Sequence, residues 1–158
     1  MVVRIKSGTS IKGAINYNEH KVREGKAVLI AAPHFFKEAE QHTFRDKLLR
    51  LQKLASLNER VKTNCLHLSL NFHSSDKLDQ KDLEKIAAAY MDGIGFGSQP
   101  YLVYRHLDAH HPHLHIVTTN IQKDGSRISL HNLGRGLSEN TRKQLEKEFC
   151  LVKAESQG

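Results

Sequence analysis

The chain has 158 residues, enough for one domain with a substantial core. Its 24 Lys and Arg stand against 17 Asp and Glu, a net charge of +7. That balance favours a polyanionic partner, because cations displace the counterions held by phosphates. Cys65 and Cys150 make neither a zinc knuckle nor a disulfide framework, which fits a reduced, cytosolic compartment. No segment has the apolar length of a membrane span, and the opening MVVRIKSG lacks the apolar run of a signal peptide.

Val2 to Lys6 reads as a short strand, followed by a turn-like Ser7 to Ser10 that can cap a helix. Apolar residues at Ile11, Ala14, Ile15 and Val22 recur at helical spacing through Ile11 to Val22. Ala27 to Ala32 is a short strand ending at Pro33. The pattern then predicts a long amphipathic helix over Phe36 to Leu57, with Phe44, Leu48, Leu51, Leu54 and Ala55 on its core face.

Cys65 to Phe72 alternates cleanly. Leu66, Leu68, Leu70 and Phe72 point one way, and His67, Ser69 and Asn71 the other. Asp79 to Gly93 is a further amphipathic helix, with Leu83, Ile86, Ala87 and Tyr90 on one stripe. The Gly93, Gly95, Gly97 and Pro100 stretch ends it. This stretch follows a helix rather than a strand and lacks a Lys-Ser/Thr end, so it reads as a turn and not a phosphate loop.

A β-hairpin follows, Tyr101 to His106 and His113 to Ile121, joined by the loop Leu107 to Pro112. After the turn Lys123-Asp124-Gly125-Ser126, a short strand is expected at Arg127 to Leu130. Ser138 is expected to cap a last helix running to about Phe149. The order implies an α+β fold: a partly antiparallel sheet with helices on one face and the other face free for a site.

The segment from Tyr104 to His115 carries the chemistry. Residues two apart on a strand share a face, so His113 and His115 project together while Leu114 and Ile116 enter the core. His106 ends the partner strand and can lie opposite that pair. Three imidazoles then converge on one divalent ion and leave it open positions for a phosphoryl oxygen. Asp108 is a nearby acceptor for an imidazole N–H, or a group that manages a proton. His110 and His111 read as solvated loop residues.

The chain has four tyrosines. Tyr90 lies on an apolar stripe and Tyr101 reads as packing. Tyr104 faces the same side as His106. Tyr17, between Asn16 and Asn18, lies off the strongest apolar face of its helix. Geometry alone leaves both Tyr17 and Tyr104 open as groups that act at the metal.

At His106-x-Asp108-x-x-His111-Pro112-His113-x-His115-Ile116-Val117 the sequence resembles the relaxase/mobilization nuclease family, within the histidine–hydrophobic–histidine endonucleases. Gly13-Ala14-Ile15-Asn16-Tyr17-Asn18 is similar to the family segment that carries the nucleophile. His67-Leu68-Ser69-Leu70-Asn71-Phe72 is similar to its central strand, and Gly93 to Tyr104 to the stretch before the histidines. The resemblance spans nearly the whole chain, which is therefore read as one catalytic domain over residues 1–158, alone or as part of a longer protein.

The resemblance implies a palm-like five-stranded antiparallel sheet. It also implies site- and strand-specific nicking of single-stranded transfer-origin DNA, with Tyr17 as nucleophile and a covalent 5′-phosphotyrosine product, in mobilization of a plasmid or integrative element. His106, His113 and His115 become metal ligands, for Mg2+ or Mn2+ in the family's usual chemistry. Imidazole also suits Zn2+ or Ni2+. Accessory mobilization proteins and a coupling protein are the expected partners, and a monomer in the bacterial cytoplasm the expected state.

Arg4, Lys6, Lys12, Lys21, Arg23 and Lys26 make the N-terminal region basic and can grip phosphates near Tyr17. His67 and Tyr104 can line the DNA-facing side. Arg127, Arg135, Arg142 and Lys143 form a second basic region. Competing readings are a replication-initiator nuclease, a DNA-binding module with a structural or inactive metal site, and a zinc hydrolase of a small substrate. The first places its tyrosine after the histidines, and the last leaves Tyr17 and the charge unexplained.

Overall fold

A computed structural model describes residues 1–36 and 38–156. Five strands form one antiparallel sheet: β1 (Val2–Gly8), β2 (Ala27–Ala31), β3 (Cys65–Asn71), β4 (Tyr101–His106) and β5 (His113–Thr118). Their order across the sheet is β1-β3-β5-β4-β2, which places the histidine hairpin β4–β5 at the centre and leaves β1 and β2 as edges. The α+β architecture expected from the sequence is therefore present.

Four helices cover the sheet: α1 (Ile11–Arg23), α2 (Phe44–Ala55), α3 (Gln80–Gly93) and α4 (Leu137–Glu148). Strand alternation sorts them. Leu66, Leu68 and Leu70 of β3, with Leu114 and Ile116 of β5, meet Leu83, Ile86 and Tyr90 of α3 and Leu145 of α4 in the larger core. Helices on one face hold for this pair. The opposite face is shared: Leu102, Tyr104 and Val117 pack against Ile11 and Ile15 of α1 and Leu51 and Ala55 of α2. The histidines therefore sit beside a helix rather than on a bare sheet.

Local signals explain most boundaries. Ser10 caps α1 by accepting from Gly13 N at 2.9 Å. Asp79 and Asp82 form a reciprocal capping box at the start of α3.

Three expectations are corrected. The long helix over Phe36 to Leu57 is shorter: Thr43 and Asp46 form a capping box that starts α2 at Phe44, after a 3-10 turn at Ala39–Gln41. A second 3-10 turn, Ser56–Asn58, follows α2. Lys37, inside the expected helix, lies outside the described residues. Arg127 to Leu130 is not a strand; only a single bridge joins Arg127 to Ile121, closed by a turn at Gly125 with φ 87°. Ser138 does not cap α4, because the helix begins at Leu137 and the Ser138 hydroxyl is buried 2.7 Å from the Tyr90 hydroxyl. Among the described residues no helix is long and apolar enough to cross a membrane.

Candidate active site

Register builds the site. On the face shared with α1, Asn71, His113 and His106 line up across β3, β5 and β4, and Ser69, His115 and Tyr104 form the next row. Arg4 stands opposite Ser69 and Lys6 opposite His67, which extends both basic side chains onto the same face. One sheet face thus carries four histidines and two cations.

His106, His113 and His115 each place a ring nitrogen within 4.8 Å of the others. The rings of His106 and His115 stack at 3.8 Å, and His113 lies 5.2 and 5.4 Å from them. His113 Nδ1 is buried without a hydrogen-bond partner among the described residues. A buried imidazole nitrogen with nothing to bond is costly unless something fills the gap between the rings. The three residues fit a divalent ion on that ground.

Electrostatics fits as well. Burial pushes the His106 imidazolium down to about 4, with the neighbouring His113 adding to it. Burial pushes His115 down to about 3, with His106 and His67 adding to it. Burial also lowers His113, assisted by His111. All three are neutral near pH 7, which is the form that binds metal. Burial lowers His67 too, with Lys6 beside it.

Tyr17 stands at the mouth of this cluster. Its ring is 47% exposed and lies 6.1 Å from His106, 5.9 Å from His115 and 5.8 Å from His67. Lys21 reaches back over the Tyr17 ring at 6.0 Å and ion-pairs with Asp108. That bond holds the Asp108 carboxyl below the usual range. The Asp108 carboxylate also lies 3.8 Å from His113 Nε2.

A groove of about 610 Å³ opens beside Tyr17, lined by Arg4, Lys6, Ser69, His67 and His115 among others. The structure therefore brings Arg4, Lys6 and His67 to the tyrosine. Lys21 is committed to Asp108. Lys12 lines a separate cavity with the end of α2, and Arg23 is exposed in the last turn of α1.

Two expected site residues are placed elsewhere. Tyr104 is 0% exposed and its hydroxyl donates to Glu19 at 2.6 Å, so it lines no surface that DNA can touch. Burial and the bond to Glu19 raise its pKa far above that of a free phenol, which also unsuits it as a nucleophile. Arg142 drops out of the second basic region, because it is buried among the carboxylates of Glu139, Glu146 and Glu155. His110 and His111 are exposed, as loop residues should be.

Three residues were not foreseen. Asn18 is fully buried, with Oδ1 2.7 Å from His106 Nε2. Glu19 and Lys47 form a buried ion pair of 2.9 Å between α1 and α2. Their signal in the sequence is a polar residue inside an apolar stripe. Positions 18 and 19 continue the Ile11–Ile15 face, and 47 continues the Phe44–Leu51 face.

A family model described as the MobA/VirD2-like relaxase nuclease domain matches residues 17–151. A search of curated proteins returns no match.

Proposed function

The chain belongs to the MobA/VirD2-like relaxase nuclease family, and from that premise we propose that it nicks one strand of transfer-origin DNA through Tyr17. The observation that carries this reading is the exposed Tyr17 ring about 6 Å from two rings of the histidine cluster, at the mouth of a cation-lined groove.

His106, His113 and His115 are the residues that hold the metal, Mg2+ or Mn2+, with Zn2+ or Ni2+ also suited to imidazole. Bound there, a divalent ion supplies positive charge to a non-bridging oxygen of the scissile phosphate. Tyr17 attacks the phosphorus; its phenolic oxygen gains the P–O bond as the bond to the 3′ oxygen breaks. The phenol gives up one proton and the 3′ oxygen takes one up, so the exchange of one phosphodiester for another is balanced without a nucleotide cofactor. Arg4, Lys6 and His67 line the path of the strand, and Asp108 orients His113. The exposed Lys12 and Arg23 add to the positive field, while Lys21 stays paired with Asp108 beside the Tyr17 ring.

In this reading the protein acts as a monomer in the bacterial cytoplasm, in mobilization of a plasmid or integrative element, with accessory mobilization proteins and a coupling protein. Incubation with single-stranded transfer-origin DNA and Mn2+ is expected to give a covalent adduct resistant to denaturation. Tyr17→Phe should abolish it. An adduct that persists in that variant would refute Tyr17 as nucleophile.

A further inference from the structure

A neutral imidazole has one lone pair, so a three-histidine centre works only if each ring presents the correct nitrogen. The choice is set by what the other nitrogen is bonded to. Two residues outside the ligand set make that choice.

Asn18 makes it for His106. Its Nδ2 donates to the Ala14 carbonyl at 2.9 Å, one helical turn back. That bond fixes the amide so that Oδ1 faces His106 Nε2 at 2.7 Å. An amide oxygen only accepts, so Nε2 carries the hydrogen and the His106 lone pair lies on Nδ1. Burial of the whole Asn18 side chain keeps water from substituting for either contact.

His67 makes it for His115. The second N–H of Asn18 Nδ2 lies 3.4 Å from His67 Nε2, a weak contact that favours that nitrogen as an acceptor. The same Nε2 is 3.0 Å from His115 Nδ1; with Nε2 as acceptor, its one lone pair takes the main bond from His115 Nδ1–H and the Asn18 N–H shares it weakly. The His115 lone pair then lies on Nε2. One buried amide thus fixes the tautomer of His106 and biases that of His115 through His67.

We infer that Asn18 and His67 are positioning residues that fix the tautomers of the metal-binding histidines, so that His106 presents Nδ1 and His115 presents Nε2. The inference rests on the proposed metal centre. It assigns His67 a structural duty at the cluster besides any contact with DNA.

Two measurements test it. Long-range 1H–15N spectra of the metal-free 15N-labelled protein, near neutral pH, should show His106 protonated at Nε2 and His115 at Nδ1. His106 protonated at Nδ1 instead would overturn the inference, and this measurement needs no variant that folds. Mn2+ affinity, read by electron paramagnetic resonance, should fall about 10–100-fold in Asn18→Leu and in His67→Phe. It should fall less in Asn18→Asp than in Asn18→Leu, because Asp keeps the acceptor for His106 while losing the donors to Ala14 and His67. Unchanged affinity in both Asn18→Leu and His67→Phe would overturn the positioning roles while leaving the metal centre intact. Wild-type protein that takes up no Mn2+, or takes it up equally well as His113→Ala, would overturn the metal reading itself.

Discussion

One buried carboxylate ties α1 to both α2 and β4, and its removal has a calculable cost. Glu19 Oε2 accepts from Lys47 Nζ at 2.9 Å and from the Tyr104 hydroxyl at 2.6 Å. The three residues are 8%, 6% and 0% exposed. Glu19→Ala leaves an ammonium group without its partner in a nearly dry seam. Breaking a buried ion pair from one side costs about 3–5 kcal/mol. The orphaned Tyr104 hydroxyl costs roughly 1–3 kcal/mol more. The two losses share a site and do not simply add, and Lys47 has a flexible stem that can swing toward water. The expected net loss is about 3–5 kcal/mol, a large part of the roughly 5–15 kcal/mol that holds a domain together.

Urea denaturation followed by circular dichroism measures this. A loss below about 1 kcal/mol would refute the buried-pair argument and place the ion pair among ordinary solvated ones. The double variant Glu19→Gln with Lys47→Met is the internal control. It removes both charges, keeps an acceptor for Tyr104, and should recover most of the stability, because an apolar replacement of a buried pair is often neutral.

The metal-free protein should lose stability in acid. His106 and His115 titrate at about 4 and about 3 when folded and near 6.5 when unfolded, so between those values the unfolded chain binds more protons. Stability should be full above about pH 6.5 and fall by up to about 1.4 kcal/mol per unit for each group as pH drops toward 4; a flat urea midpoint from neutral pH to pH 5 would contradict this. Tyr104→Phe should keep forming the DNA adduct while losing about 1–2 kcal/mol in the same urea assay, since it removes a buried hydrogen bond and no reacting group. Gly93→Ala should cost about 1–3 kcal/mol, because its Cβ would lie 2.3 Å from Thr141 Oγ1 and force α3 away from α4. Adding Thr141→Ala should return part of that loss.

What could be read in advance followed from short-range geometry. The alternation in β3 and the His-x-His of β5 place side chains by a two-residue period that no distant contact alters, so the shared face of His113 and His115 was legible. The facing position of His106 followed from a hairpin with a short loop. The paths of α1 and α2 across the histidine face depend on which distant element each stripe meets, which period alone does not specify. Glu19 meets partners 28 and 85 residues away. Seen only along the chain, Asn18, Glu19 and Lys47 look like interruptions of a hydrophobic stripe. Tyr104 misled for the matching reason: its face was correct, but α1 and α2 cover that end of it.

Three successive residues of α1 therefore carry three separate tasks, and helical rotation of about 100° per residue is what separates them. Tyr17 turns outward to the groove, Asn18 turns to the Nε2 edge of the His106 ring, and Glu19 turns into the seam with α2 and β4. Tyr17 itself, half in solvent, contributes little packing, so its placement is imposed by its two neighbours. The consequence is an asymmetry among substitutions. Under the proposed mechanism, a change at Tyr17 should alter chemistry with little effect on stability, a change at Asn18 the metal centre, and a change at Glu19 the fold. Loss of nicking at any of the three looks identical in an activity assay. Mn2+ affinity together with unfolding free energy separates them, because each of the three positions moves a different member of that pair or neither.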